Sequence, residues 1–209
     1  MARRLVRTGL FSLLAGAVWT NRPLPEGAGE GLFQLVLVRD EAGIGALVDA
    51  FGEMLEARFP FGERPNRILV GAVLELIQNI PHHAGAGRRD FLPVGFAALE
   101  EAEDHLHLAV VDGGVGLQGS LALNPRFRGV GAAEALELVL VDGVSRFDDP
   151  GRGGSLRRIR EVVLRNAGKF YVRSGDGALL QEDVEWQVGR VFFFPGVQVS
   201  IRLPKKLFL

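Results

Sequence analysis

The chain has 209 residues, of which 47% are hydrophobic, and a formal net charge of −1. This length suits one domain with an ample core, and the near-neutral charge argues against general nucleic-acid binding. Cysteine is absent, which excludes disulfides, thiol catalysis and thiolate metal sites. Because a reducing compartment permits such a composition, we expect a cytoplasmic protein.

Residues 1–30 combine basic residues with a short apolar stretch and a Gly- and Pro-containing loop sequence. The apolar stretch is shorter than the roughly 20 residues that a membrane-spanning helix needs, so no membrane span is expected. We interpret 1–30 as an N-terminal extension that packs on the domain or on a second copy of the chain. A homodimer is therefore one arrangement to consider.

The rest of the chain alternates between strand and helix patterns. Strands are predicted at 32–38, near 92–99, at 105–112, and near 169–174, 189–194 and 196–203. Helices are predicted at 41–58, from about Asn66 to His83, and at 155–166, with a helical patch inside a long connection at 117–150. This order predicts an α/β two-layer sandwich, with a mixed sheet and helices on one face.

The helix predicted from Asn66 carries two polar residues within an apolar run. Glu75 and Asn79 are one helical turn apart, so both side chains can meet one ligand. A buried carboxylate beside a buried carboxamide is costly unless both are satisfied, and a magnesium ion with its water shell satisfies both. The alternative is a polar stripe at the edge of a core helix.

A second pattern follows the strand at 105–112. Asp112 stands at the expected strand end, and Gly113, Gly114 and Gly116 follow it. These glycines allow a tight turn and a close approach of the backbone to a flat ligand. The Asp112 carboxylate can accept a hydrogen bond from an exocyclic amine such as that of adenine. An ordinary strand-to-turn sequence is the alternative.

A third pattern precedes the helix predicted at 155–166. Gly151, Gly153 and Gly154 lead into Ser155 and the helix. Such a turn presents free backbone N–H groups to an anion, so phosphate is the expected ligand.

Together these patterns resemble the motifs of the GHKL superfamily of ATP-binding domains, which includes gyrase, histidine kinases and the anti-sigma-factor serine kinases. The resemblance covers about residues 31–204. Ser155 replaces the last glycine of the third motif, and Val197 stands where the family commonly has a threonine that helps to hold adenine through water. The matching positions are Glu75, Asn79, His83 and Ala84 in the first motif, Asp112, Gly114 and Gly116 in the second, and Gly151, Gly153 and Leu156 in the third.

The resemblance implies a histidine-kinase-like ATPase fold over 31–209, with ATP in the helical layer under a lid at about 117–150. It implies that Glu75 is catalytic, that Asn79 holds Mg²⁺ and that Asp112 reads adenine. The remaining motif residues are expected to contact the nucleotide: His83, Gly114, Gly116, Gly151, Gly153, Gly154 and Ser155.

The layout is most similar to that of the anti-sigma-factor serine kinases, which implies a stand-alone ATP-binding regulator that phosphorylates a protein partner. No histidine precedes residue 82, so we do not expect a histidine kinase with its own phosphoacceptor ahead of the catalytic domain. Two alternatives stay open. One is an ATPase whose hydrolysis drives lid closure and dimerisation, and the other is a nucleotide-sensing partner protein without turnover.

Overall fold

A computed structural model describes residues 33–38, 41–58, 63–80, 95–147, 154–183 and 185–207. The strands are β1 (Phe33–Val38), β2 (Gly95–Glu101), β3 (His105–Asp112), β4 (Lys169–Glu182) and β5 (Glu185–Pro204). The helices are α1 (Glu41–Arg58), α2 (Glu63–Asn79), α3 (Gly116–Leu121), α4 (Ala132–Leu140) and α5 (Ser155–Arg165). Short 3₁₀ turns occupy Pro125–Phe127 and Lys205–Leu207. The N-terminal extension predicted at 1–30 lies outside the described residues.

The five strands form one sheet in the order β1-β2-β3-β5-β4. The helices form a single layer, in which α2 packs on α1 and α5, and α4 packs on α3 and α5. This arrangement confirms the predicted α/β two-layer sandwich. The four strand pairings in the described part of the chain are all antiparallel, so the parallel pairing of a mixed sheet is not found there.

The core lies between the sheet and the helical layer. In β2 and β3, buried residues alternate with half-buried ones, as expected for strands with one face against helices. From the helical side, Phe51 of α1 and Ile77 of α2 are fully buried in this core. The opposite sheet face carries polar residues such as His107, whose Nε2 lies 2.7 Å from Oγ of Ser200.

A close approach fixes the C-terminal end of α2 on the sheet. A Cβ atom at Gly95 would lie 2.3 Å from Cδ1 of Ile80 and 2.8 Å from the carbonyl oxygen of Val111. Glycine at position 95 therefore lets the end of α2 pack directly on β2. This packing places Asn79, which precedes Ile80, in the same pocket as the end of β3.

The C-terminal hairpin differs from its prediction. The pattern predicts three strands near 169–174, 189–194 and 196–203, whereas the structure has two long strands, β4 and β5. Ser174 pairs with Val197 while the next residue, Gly175, pairs with Phe194, so β5 bulges between these two pairs. Glycine at position 196, with φ of +80°, allows the bulge within a continuous strand.

The segment predicted as a lid, 117–150, is described as far as residue 147. It contains most of α3 and all of α4, whose Ala135, Leu136 and Leu140 are fully buried. The inner side of α4 is therefore part of the core. Of the helices that the structure describes, none is both long enough and apolar enough to cross a membrane.

Candidate functional site

A pocket opens where the end of β3 meets the helical layer. Its cavity volume of about 90 Å³ is several times the roughly 10–15 Å³ that one water molecule requires. Apolar side chains form much of its lining, namely Leu76, Val110, Leu117, Leu121, Val139, Val144, Leu156, Val197 and Val199. The other lining residues are Asn79, Asp112, Gly116, Ser120, Ser145, Arg146, Gly154 and Ser155. This mixture of apolar walls and a few polar groups is typical of small-molecule sites.

Asp112 supplies a carboxylate to this largely apolar pocket. Its Oδ1 accepts a hydrogen bond from the backbone N–H of Gly114 at 2.8 Å, and the backbone N–H of Val197 also donates to it. Burial raises the pKa of Asp112 to about 6, and these two hydrogen bonds only partly oppose the effect. At neutral pH the group is therefore a carboxylate that can accept a further hydrogen bond.

The chain turns sharply after Asp112. Gly116 has a φ of +74°, which favours glycine, and it lies on the pocket wall at the start of α3. A Cβ atom at Gly116 would lie 2.6 Å from Oγ of Ser174 and 3.1 Å from the carbonyl oxygen of Gly196. Glycine here therefore allows the backbone to pass close to both neighbouring strands.

The structure separates the two polar residues of α2. Asn79 lines the pocket, whereas Glu75, one turn earlier, does not. Glu75 is 41% exposed, and its Oε1 lies 3.8 Å from Nη2 of Arg158 on α5. An ion pair between two such exposed side chains contributes little to stability. The ion pair nevertheless joins α2 to α5 beside the pocket.

The N-terminus of α5 also reaches the pocket. Gly154 occupies the N-cap with a φ of 70° and makes no side-chain capping bond, so the first N–H groups of α5 have no such cap. Arg146 adds a positive charge to the lining, and its guanidinium carbon lies 4.6 Å from the centre of the Phe147 ring. Burial lowers the pKa of Arg146. A helix N-terminus and an arginine together favour an anionic ligand group.

The pocket brings together five of the ten catalytic and nucleotide-contacting residues predicted from the sequence. Of the other five, Glu75 lies beside the pocket lining, while the backbone N–H of Gly114 donates a hydrogen bond to the Asp112 carboxylate. His83, Gly151 and Gly153 lie outside the described residues. The five that line the pocket are Asn79, Asp112, Gly116, Gly154 and Ser155.

Sequence reasoning missed Arg146 and Ser174. Arg146 lies in the long connection before α5, where no motif marks it. Ser174 lies inside a strand, and its buried hydroxyl contacts the turn after Asp112. The available signal is the glycine that follows it, Gly175, since a glycine inside a strand can mark the close approach of another backbone segment.

The side chains near Asn79 can be compared with the ligands that a magnesium ion needs. Within the described ranges, no group of three or more His, Cys, Asp or Glu residues is placed to hold a metal ion. Mg²⁺ is usually bound through few protein ligands together with phosphate oxygens and water. Asn79 lies in one pocket with Arg146 and the N-terminus of α5, so these residues fit a magnesium ion that brings anionic oxygens and water as its other ligands.

Comparison with known proteins adds little to this picture. No protein-family model matches the chain, and no curated protein matches it. Among solved structures, the chain is similar to the mycobacterial sensor histidine kinase MprB, at 20% sequence identity and a TM-score of 0.38. The match covers 82% of this chain and 97% of that one.

Proposed function

We propose that this chain binds Mg-ATP in the pocket at the end of β3 and acts as a regulatory protein kinase of the histidine-kinase-like ATPase type. The observation that carries the proposal is that one pocket contains both Asp112 and the N-terminus of α5, whose N-cap residue Gly154 makes no side-chain capping bond. The Asp112 carboxylate suits a base that bears an amine, and the helix N-terminus suits phosphate. A nucleotide is a ligand class that presents both groups within one molecule.

Recognition of adenine follows from the chemistry at Asp112. Apolar side chains such as Val110 and Leu117 offer flat contact for a base, and the carboxylate accepts a hydrogen bond from its exocyclic N6 amine. Guanine presents a carbonyl at the corresponding position, which would face the carboxylate oxygen. We therefore expect the site to select ATP over GTP.

The phosphates would meet the N–H groups at Gly154 and Ser155 and the positive charge of Arg146. Asn79 would hold magnesium together with phosphate oxygens and water. Magnesium, when bound, neutralises negative charge on the phosphates.

Phosphoryl transfer needs a group to orient or deprotonate the attacking hydroxyl, and Glu75 is the candidate. Its carboxylate would take the proton as the hydroxyl oxygen bonds to the γ-phosphorus and the bond to the leaving ADP oxygen breaks. With water as the nucleophile, the same arrangement would give hydrolysis. A protein hydroxyl would make the chain a kinase.

One observation favours a nucleotide sensor without turnover as the second candidate. Glu75 lies outside the pocket lining and is paired with Arg158. A carboxylate held in this way serves as a base only if the pair separates when nucleotide and acceptor are bound. Binding without chemistry requires no such change.

Incubation with ATP labelled at the γ-phosphate tests the three possibilities, with and without proteins that co-purify with the chain from its native cell. Transfer of label to a protein indicates a kinase, release of labelled phosphate indicates an ATPase, and retention of intact ATP indicates a sensor. The proposal that the chain binds nucleotide fails if millimolar Mg-ATP leaves the thermal midpoint unchanged. For a ligand at about 100 times its dissociation constant, we expect a rise of about 5–10 °C.

A further inference from the structure

Ser174 of β4 has a hydroxyl that joins three separate segments of the chain. The side chain is buried, with 2% of its surface exposed. Its Oγ donates a hydrogen bond to the carbonyl oxygen of Gly196 at 3.0 Å and accepts one from the backbone N–H of Leu117 at 2.9 Å. One side chain thus links β4 to the bulge of β5 and to the turn that follows Asp112.

The backbone packs closely around this hydroxyl. Gly116 and Gly196 both have positive φ angles, of +74° and +80°. A Cβ atom at Gly116 would lie 2.6 Å from Oγ of Ser174, and one at Gly196 would lie 2.1 Å from the carbonyl oxygen of Asp112. The two glycines bring the turn and the bulge together. The Ser174 hydroxyl then bonds to the Leu117 N–H in the turn and to the Gly196 carbonyl oxygen in the bulge.

The segments that Ser174 joins also form the wall of the pocket around Asp112. Gly116, Leu117 and Val197 line the pocket, and the N–H of Val197 donates to the Asp112 carboxylate. A shift of the turn or of the bulge would therefore change both the wall and the hydrogen bonds of Asp112.

We propose that Ser174 is a positioning residue for the nucleotide base, because its hydroxyl fixes the turn at Leu117 and the bulge at Gly196 around Asp112. This inference rests on the proposed function, since it assigns Ser174 to the adenine end of that site. Ser174 itself does not line the pocket, so it acts on the ligand only through the backbone that it holds.

A purely structural role predicts a different outcome. If Ser174 were only a satisfied polar group in the core, its loss would lower stability and leave affinity for each part of the nucleotide unchanged. Ser200 provides a matched control, because it also lies within the sheet and its Oγ pairs with a side chain, His107. Ser200 does not line the pocket.

The test is calorimetric titration of the parent, Ser174→Ala and Ser200→Ala with ATP, adenosine and inorganic tripolyphosphate. We expect Ser174→Ala to weaken adenosine and ATP by similar factors, about 5- to 30-fold, consistent with losing the two buried hydrogen bonds that the hydroxyl makes. Tripolyphosphate affinity should stay within about twofold of the parent, and Ser200→Ala should leave the affinities for all three ligands unchanged.

A second pair of variants covers the case in which Ser174→Ala does not fold. Thr and Val have similar shapes, but only Thr keeps the hydroxyl, so Ser174→Thr should bind adenosine more tightly than Ser174→Val. Amide hydrogen exchange without ligand gives an independent readout. The Leu117 N–H should exchange faster in Ser174→Ala and in Ser174→Val than in the parent.

The outcomes distinguish the proposed nucleotide binding from the proposed role of Ser174. A parent protein that binds neither ATP nor adenosine contradicts the proposed function itself. A parent that binds both, together with a folded Ser174→Ala that binds adenosine within about twofold of it, contradicts only the role of Ser174. Equal weakening of adenosine and tripolyphosphate would also contradict it, because that result indicates general loss of structure.

Discussion

Gly196 lies against Asp112 so closely that a Cβ atom at position 196 would be 2.1 Å from the Asp112 carbonyl oxygen and 2.5 Å from its Oδ1. The two residues lie on neighbouring strands, β5 and β3, and Gly196 has a φ of +80°. The carboxylate proposed to read adenine is thus packed against bare backbone. This relationship makes the shape of the site depend on a position outside its motifs.

We expect Gly196→Ala to lower the free energy of unfolding by about 2 kcal/mol or more, because it adds left-handed strain to a steric clash. The thermal midpoint should fall by roughly 4–8 °C or more, and ATP affinity should fall as Asp112 is displaced. Gly189→Ala is the control on the same strand, since a Cβ there would meet nothing within 4 Å. Equal melts for the two variants would show that the close approach is not maintained in solution.

The raised pKa of Asp112 makes ligand binding depend on pH. With a pKa of about 6, the group is mostly ionised at pH 7.5 and mostly protonated at pH 5. Because a protonated carboxyl group offers adenine a weaker acceptor, adenosine affinity should fall about tenfold over this range. Adenosine is the suitable probe because it lacks phosphates that titrate. A pH-independent affinity would argue against contact between Asp112 and the base.

The same pKa has the opposite effect on stability. The folded protein binds the proton with a pKa of about 6, above the value of 3.8 for the exposed group, so acidification through pH 6 stabilises the fold through Asp112. Between pH 7 and pH 5 this contribution should be about 1 kcal/mol. Urea melts of the parent and Asp112→Asn at both pH values isolate it. The parent should gain stability relative to the variant on acidification, and a relative loss would contradict the burial of Asp112.

Glu75 and Asn79 should respond differently to substitution. Asn79→Ala should remove the magnesium-dependent part of ATP affinity, because Asn79 lines the pocket. Glu75→Gln should leave ATP affinity near that of the parent and lower any phosphoryl transfer or hydrolysis by about 10²- to 10⁴-fold. ATP titrations with and without magnesium, together with turnover, measure both effects. Gln78→Ala is the control on the same helix.

If Glu75→Gln loses ATP affinity while turnover per bound ATP stays normal, the two roles are misassigned. In that case the pair with Arg158 is structural, and α2 contributes only Asn79 to the site.

The elements that position the site were largely readable from the sequence. Periodicity correctly placed β1, α1, β3 and α5, because each has a simple apolar pattern. Asp112 was predictable as a strand end because the apolar run stops there and glycines follow. Asn79 was predictable from its place one helical turn after Glu75.

The hairpin of β4 and β5 could not be read in the same way, because glycines there serve packing. The sequence SGDG at 174–177 suggests a turn, yet β4 continues through it to Glu182. A Cβ atom at Gly177 would lie 2.9 Å from Cδ1 of Leu136, so this glycine makes room for α4. Such contacts, like those of Ser174, join residues that are far apart in the sequence, so no local periodicity predicts them.

Titration of the parent and Asp112→Asn with Mg-ATP and Mg-GTP at pH 7.5 measures whether Asp112 selects adenine in the pocket. We expect the parent to bind ATP at least tenfold more tightly than GTP and Asp112→Asn to lose most of this difference. Magnesium should change the ATP affinity of Asp112→Asn by the same factor as that of the parent, because Asn79 is intact in both. Equal affinity of the parent for ATP and GTP, or no affinity for either, would contradict adenine recognition by Asp112.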